Sequence, residues 1–355
     1  MLLVIIETAG IVFKTSPKPI VKNSFTRVCN DCEKSDIYYI IFDSYASSSL
    51  LKKEFGYDNT AIETFLTQKG FRILRDSRSN YNLTPFSLAS ILNMDYIANT
   101  DTTNKLHVRD YWPAINYMYY NNLFSAIKEQ GYSVYNHSLF DFKDHPSSVQ
   151  IFDIWKIKNI YEQYNFIKKI YTEIGWNLPS WLRISFGKYD DYLDNRDRHD
   201  SSALQHLYKT IVDTLDKPKF VYTHFFLPHS PYSFDSVGNK IRLSYDLSLK
   251  EDKEAYIQQL AYTNKIVKKV VDSIQAGSGG KAIIIIQGDH GYRFFDDSKK
   301  QLEFSNLNAI YFPNADYHLF YDSMTSVNTF RIVFNTLFNQ NYTMLPDQTY
   351  PLKYK

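Results

Sequence analysis

Asp289 and His290 stand side by side at the end of a run of four isoleucines, in Ala282 to Arg293, AIIIIQGDHGYR. A carboxylate oxygen and an imidazole nitrogen presented together suit a divalent cation. The continuous apolar run, stopped by Gly288, predicts a strand buried on both faces, and open α/β sheets collect their chemistry at the carboxyl ends of such strands. A second run, DIYYIIFDS from Asp36 to Ser44, also ends in an acid, Asp43. Alone, an acid at a strand end caps a helix or closes a turn. Two parallel strands of one sheet would bring Asp43 to Asp289 whatever their separation in sequence.

Three further residues carry reactive atoms at telling places. In NLTPFSLASILNM, Thr84 and Pro85 open a predicted helix whose apolar face is Phe86, Leu88, Ile91 and Leu92. A hydroxyl there lies over free amide hydrogens and the positive end of the helix dipole, a setting for a nucleophile as well as for a cap. In KFVYTHFFLPHSPYSFD, a third apolar strand leads into His224 and His229. His229, in a Pro-His-Ser-Pro loop past the strand, can reach the same cleft; His224, within it, is read either as a core histidine or as a contact to substrate or metal. Arg78 and Asn80 in SRSNY and Arg109 in HVRDYW are candidates to touch an anionic substrate, since guanidinium grips phosphate with two donors.

The elements that must hold these residues alternate. After the Asp43 strand, Ile62, Phe65 and Leu66 fall at helical spacing behind Asp58 or Asn59 as a cap, and Gly70 ends that helix. FRILRDSRSNY then starts a second extended segment, a βαβ opening. Helices are predicted over Asn121 to Gly131, Ala203 to Leu215 and Glu254 to Ala276, with a strand in GYSVYNHSLF. The pattern predicts a three-layer α/β/α sandwich with a largely parallel central sheet. The reading divides the chain into an apolar segment and linker (1–35), a catalytic domain (36–345) with a helical, aromatic-rich insertion near 150–200, and a tail (346–355).

Composition sets outer limits. The chain has 355 residues, 44% of them hydrophobic, enough to bury one large core. Forty basic against 38 acidic side chains leave a net charge of +2, and the 30 tyrosines and 25 phenylalanines form no ordered stacking platform, so no nucleic-acid partner is expected. Leu2 to Phe13, LLVIIETAGIVF, is shorter than the roughly 20 residues of a spanning helix and lacks the basic lead of a secretory signal. It reads as the trailing part of a membrane helix or as a first strand. Cys29 and Cys32, in RVCNDCEK, are the only cysteines; such a pair suits half a metal site, a redox pair or a short disulfide of an exported protein, and a disulfide or no role fits best here.

The segments DIYYIIFDSYA, NYNLTPFSLAS, HFFLPHSPY, QGDHGYR and NLNAIYFPN occur in the order found in the alkaline phosphatase and sulfatase superfamily. Over about residues 36 to 345 the chain resembles its sulfatase-like group, which contains lipoteichoic acid synthases and phosphoethanolamine transferases. That resemblance implies an alkaline-phosphatase-like fold and one divalent metal held by Asp43, Thr84, Asp289 and His290. Mn²⁺ or Zn²⁺ is expected, with Mg²⁺ or Ca²⁺ as alternatives; imidazole argues against Mg²⁺. It also implies Thr84 as a nucleophile that forms a covalent ester, and His229 as a hydrogen-bond donor to nonbridging oxygens or to the leaving group. The substrate it implies is an anionic ester, phosphoglycerol or phosphoethanolamine in type and carried on a lipid or glycan, with no nucleic acid involved, at the extracytoplasmic side of the cell membrane. The chain departs from true sulfatases in lacking a Cys/Ser-x-Pro-x-Arg run, so sulfate hydrolysis through formylglycine is not expected; a sulfuric ester hydrolase without formylglycine and a non-catalytic envelope binding protein of the same fold are the alternatives. No second zinc set of the alkaline phosphatase kind is read, with His224 or His318 left as completing ligands.

Overall fold

The computed structural model describes residues 28–98, 100–107, 110–149, 189–241 and 253–353. A six-stranded sheet runs through the molecule in the order β2-β6-β5-β1-β4-β3. Its centre is β1 (Ile37–Phe42), flanked by β5 (Ile283–Gln287) and β4 (Lys219–Phe225), all fully buried. With β3 (Ser133–His137) these four are parallel. β6 (Asn308–Tyr311) runs antiparallel to β5, and the two-residue β2 (Arg72–Ile73) antiparallel to β6.

Helices cover both faces, which is why the central strands are apolar without alternation. Tyr39, Ile41, Tyr222 and Ile285 pack toward α3 (Thr84–Asn93), α4 (Tyr111–Tyr119), α5 (Asn122–Glu129) and α8 (Thr329–Phe338). Ile40, Phe42, Val221 and Ile286 pack toward α1 (Ser48–Phe55), α2 (Thr60–Gln68), α6 (Tyr189–Val212) and α7 (Lys253–Ser278). The fold is the expected three-layer α/β sandwich.

One detail of the expected topology is corrected. The extended segment after α2 does not join β1 as a parallel neighbour; it pairs for two residues with β6 at the far edge. Arg72, Arg75 and Asp76 leave it no continuous apolar run, and a short charged strand belongs at an edge. The tail is tied into the domain: Tyr350 N donates to Asn80 O, Leu352 N to Asn82 Oδ1, and Thr325 N to Asp347 Oδ1. The apolar segment Leu2 to Phe13, Arg109 and most of the 150–200 insertion lie outside the described residues.

Candidate active site

Strand register builds the site. Ile41 pairs with His224 on β4 and with Gln287 on β5, so Asp43 and Asp289, each two residues further on, leave their strands at the same level. Aligned residues of parallel strands share a face, and the two-residue period puts Asp43, His224 and Asp289 on the face that carries α3. Candidate ligand atoms of these three buried residues all lie within 4.8 Å of one another.

Each acid has one oxygen turned to the cluster without a donor. Asp289 Oδ1 accepts the backbone N–H of Ser44 at 3.0 Å and of His290 at 2.9 Å, whereas Oδ2, buried, has no hydrogen-bond partner. Asp43 Oδ1 is likewise buried and without one, as is His224 Nε2, 3.9 Å from Asp43 Oδ2. His224 Nδ1 meets the Tyr222 hydroxyl at 3.1 Å, which orients the ring. Burial would raise the Asp43 carboxyl, but the imidazoles of His229, His224 and His290 around it prevail and hold it well below the usual carboxylate range. Two carboxylates buried together cost on the order of several kcal/mol per ion unless a cation lies against them. Oxygen and imidazole donors whose lone pairs accept no hydrogen bond are what a divalent cation of intermediate hardness takes. The residues therefore fit a metal ion.

His290 faces the same space. Its Nδ1 lies 2.8 Å from Gly291 O, so Nδ1–H donates there and Nε2 keeps a lone pair. That Nε2 is 3.5 Å from both Asp43 Oδ1 and Asp289 Oδ2, and 3.3 Å from Thr84 Oγ1. Thr84 is the first residue of α3, and the preceding Leu83 occupies the cap position, so the threonine hydroxyl is turned to His290 instead of capping. Backbone packing fixes the Gly288–Gly291 turn: a Cβ on Gly288 would sit 2.5 Å from Tyr45 O, and one on Gly291 2.4 Å from Ser305 O. Only glycine fits such approaches. Opposite, Ser44 takes a left-handed conformation (φ 62°), with Tyr256 Oη donating to Ser44 O at 2.9 Å. Strained backbone held by a buried partner is common where geometry serves a site.

His229 lies in the loop after β4, its ring 6.3 Å from that of His290. Arg293 Nη2 donates to His229 Nε2, and His229 Nδ1–H donates to Ser230 O. Both nitrogens are thus committed in the neutral tautomer. Burial lowers this imidazole to about 3, the Arg293 and Arg196 charges and His290 acting with it and Asp43 against it. His229 is expected to hydrogen-bond substrate oxygens or the leaving group; in this geometry its Nε2 accepts from Arg293 and its Nδ1–H is held by Ser230 O, which sets the Arg293 guanidinium beside it. Arg293 was not read from the sequence, although it closes the same Asp-His-Gly-Tyr-Arg run.

The other expected contacts fall elsewhere. Asn80 is buried and committed, donating to Gln348 O at 2.9 Å and accepting Val327 N at 2.7 Å, so its role is holding the tail. Arg78 is exposed, its backbone bridging to Ser305 and Thr325. His318 pairs with Asp316 on the surface, with a side chain 65% exposed, and completes no cluster.

No curated protein matches this chain in sequence. Among solved structures, the chain is similar to the C-terminal periplasmic domain of EcEptC from Escherichia coli in complex with zinc, with TM-score 0.53 and 11% identity over 90% of this chain and 87% of that one. It is similar to a phosphonate monoester hydrolase of Agrobacterium radiobacter (TM-score 0.51, 12% identity, 86% and 74% covered). It also resembles the integral membrane lipooligosaccharide phosphoethanolamine transferase A of Neisseria meningitidis (TM-score 0.50, 10% identity), covering 88% of this chain but 56% of that one. At these identities the likeness is one of fold. The family model described as Sulfatase matches residues 35–340, across every element that carries the cluster, and the chain belongs to that family.

Proposed function

We propose that this protein is a metal-dependent phosphate-ester hydrolase or transferase, acting on a phosphoglycerol, phosphoethanolamine or related group with Thr84 as nucleophile. The observation that carries the reading is the buried donor group of Asp43, His224 and Asp289, with unpartnered lone pairs beside the Thr84–His290 contact. Asp43, Asp289, His290 and His224 would hold the ion, with Thr84 Oγ1 adjoining. When bound, a divalent cation lowers the hydroxyl pKa and offsets charge on the transferring group.

Thr84 Oγ1 attacks phosphorus, the bond to the leaving alcohol breaks, and the phosphoryl group rests on Thr84 as an ester. Water or an acceptor alcohol then attacks the same phosphorus and frees the threonine. The amide hydrogens at the start of α3 favour the negative charge that develops there. His229 Nε2, by accepting from Arg293, holds that guanidinium toward the nonbridging oxygens, and the proton released by the attacking hydroxyl passes through solvent to the departing alcohol.

The Cys29–Cys32 disulfide supports an oxidising, extracytoplasmic setting. Among the described residues no helix is long and apolar enough to cross a membrane. A second reading, sulfuric ester hydrolysis without formylglycine, is favoured by the family model alone.

The test is turnover of matched aryl phosphodiester, phosphomonoester and sulfate by metal-loaded protein. Phosphoester turnover that falls by about 10³-fold or more in Thr84→Ala, with metal still bound, is expected. Preference for the sulfate ester would select the second reading, and undiminished activity in Thr84→Ala would remove the nucleophile.

A further inference from the structure

The loop that carries His229 is irregular, and Pro228 and Pro231 give it two residues without an N–H. Its peptide groups must therefore find partners outside regular structure. Two helices provide them. From α6, Asp200 Oδ1 accepts Phe226 N at 2.8 Å and Oδ2 accepts Leu227 N at 3.1 Å. One turn earlier on the same helix face, the buried Arg196 donates through Nη2 to His229 O at 2.9 Å and through Nη1 to Pro231 O at 3.3 Å. Its guanidinium lies over the Phe226 ring, 4.7 Å from the centroid. From α7, the buried Gln259 donates to Pro228 O at 3.1 Å and His229 O at 3.0 Å, and accepts Ser233 N at 2.7 Å.

The carbonyl of His229 is thus gripped by donors from two different helices, while its side chain is turned to Arg293 and the cluster. An ordinary loop tie needs one donor. Two convergent donors on the residue that bears the imidazole, with the peptides before and after it also held, leave that residue little freedom to rotate or shift. We propose that Arg196, Asp200 and Gln259 are positioning residues that set His229 against the reacting centre. This rests on the proposed function for its catalytic consequence, though not for its geometry.

Arg196→Lys keeps the charge but loses the fork, and Gln259→Glu keeps the acceptor for Ser233 while losing both donations. Each is made alone and together with His229→Ala, and read in three ways: kcat on the aryl phosphodiester, metal per chain, and the ¹⁵N signals of the His229 ring, assigned by their loss in His229→Ala. The expected result is a fall in kcat of about 10- to 100-fold at unchanged metal content, because a displacement near 1 Å is costly in a catalytic group. That fall disappears in the His229→Ala background, and the ring signals move from the fixed Nδ1–H tautomer toward a tautomeric average. Equal losses in both backgrounds, or ring signals unchanged in both variants, overturn the proposal. If the parent chain turns over no ester, the functional reading fails and the ring signals alone decide the positioning role. Should one variant not fold, the other carries the same comparison.

Discussion

At the scale of single residues, Asp289 divides its labour between its two oxygens. Oδ1 is saturated by two backbone amides, and Oδ2 is held out to the cluster. Asp289→Asn can retain the amide bonds through its carbonyl oxygen while removing a charge from beside Asp43. The metal-free variant is expected to melt at or above the metal-free parent, because one buried carboxylate repulsion is gone. The parent should gain stability on metal addition, about 4 kcal/mol at a thousandfold excess over Kd, and the variant little. Melting curves with and without chelator check this; a chelator-induced drop of equal size in both chains would deny Asp289 a ligand role. Arg293 has its own signature. Arg293→Lys keeps a positive charge but loses the planar fork, and kcat/KM for a phosphodiester should fall by about 10- to 100-fold without loss of metal. An unchanged kcat/KM would remove Arg293 from substrate binding.

At the scale of elements, the sheet was legible where burial on both faces wrote continuous apolar runs. IYYIIF and IIIIQ became the central strands β1 and β5, and their terminal acids met because parallel register put them level. His224 was ambiguous for a physical reason: its side-chain face depends on which strand it neighbours, and only the pairing of Ile41 with His224 aims it at Asp43. Arg293 was missed because one arginine after a turn has no pattern, and Asn80 was misread because its partners arrive from residues 327 and 348. The glycine turn after β5 makes a sharp prediction. Gly291→Ala drives a Cβ against Ser305 O, with Glu303 O 3.1 Å away, and neither is a flexible side-chain end. Forced crowding of this kind costs about 1–3 kcal/mol. The melting temperature should fall and metal affinity with it, since His290 Nδ1 takes its orientation from Gly291 O. Full metal affinity in Gly291→Ala would show the turn to be more compliant than its packing implies.

At the scale of the whole molecule, stability depends on contacts that close the fold far from the cluster. His137, at the end of β3, meets Ser148 Oγ at 2.7 Å through Nδ1 and Thr210 Oγ1 on α6 at 2.9 Å through Nε2. Burial, with a smaller push from His206, lowers this imidazole to about 4. Its folded-state value lies below the unfolded one near 6.5, so the unfolded chain binds the extra proton first. Its contribution to stability is complete above about pH 6.5 and is lost as the pH falls toward 4. Denaturation midpoints measured across that window should decline with acid, and His137→Gln should flatten the slope; an identical slope in the variant would assign the acid sensitivity to other groups.

The tail closes the other side of the molecule. Asp347 accepts Thr325 N and Oγ1, Tyr350 stacks on Tyr81 with ring centroids 5.2 Å apart, and Leu352 exchanges two hydrogen bonds with Asn82. Asn82 is two residues before Thr84 and also donates to the buried Glu303 at 2.8 Å, so the tail braces the approach to the nucleophile. Removing residues 346–355 strips partners from several buried polar groups, each worth about 1–3 kcal/mol when orphaned. The shortened chain should melt at a lower temperature and, below that temperature, show a reduced kcat with its metal retained. A lower melting temperature with kcat intact would confine the tail to stability, because a brace acting through Asn82 has to register at Thr84.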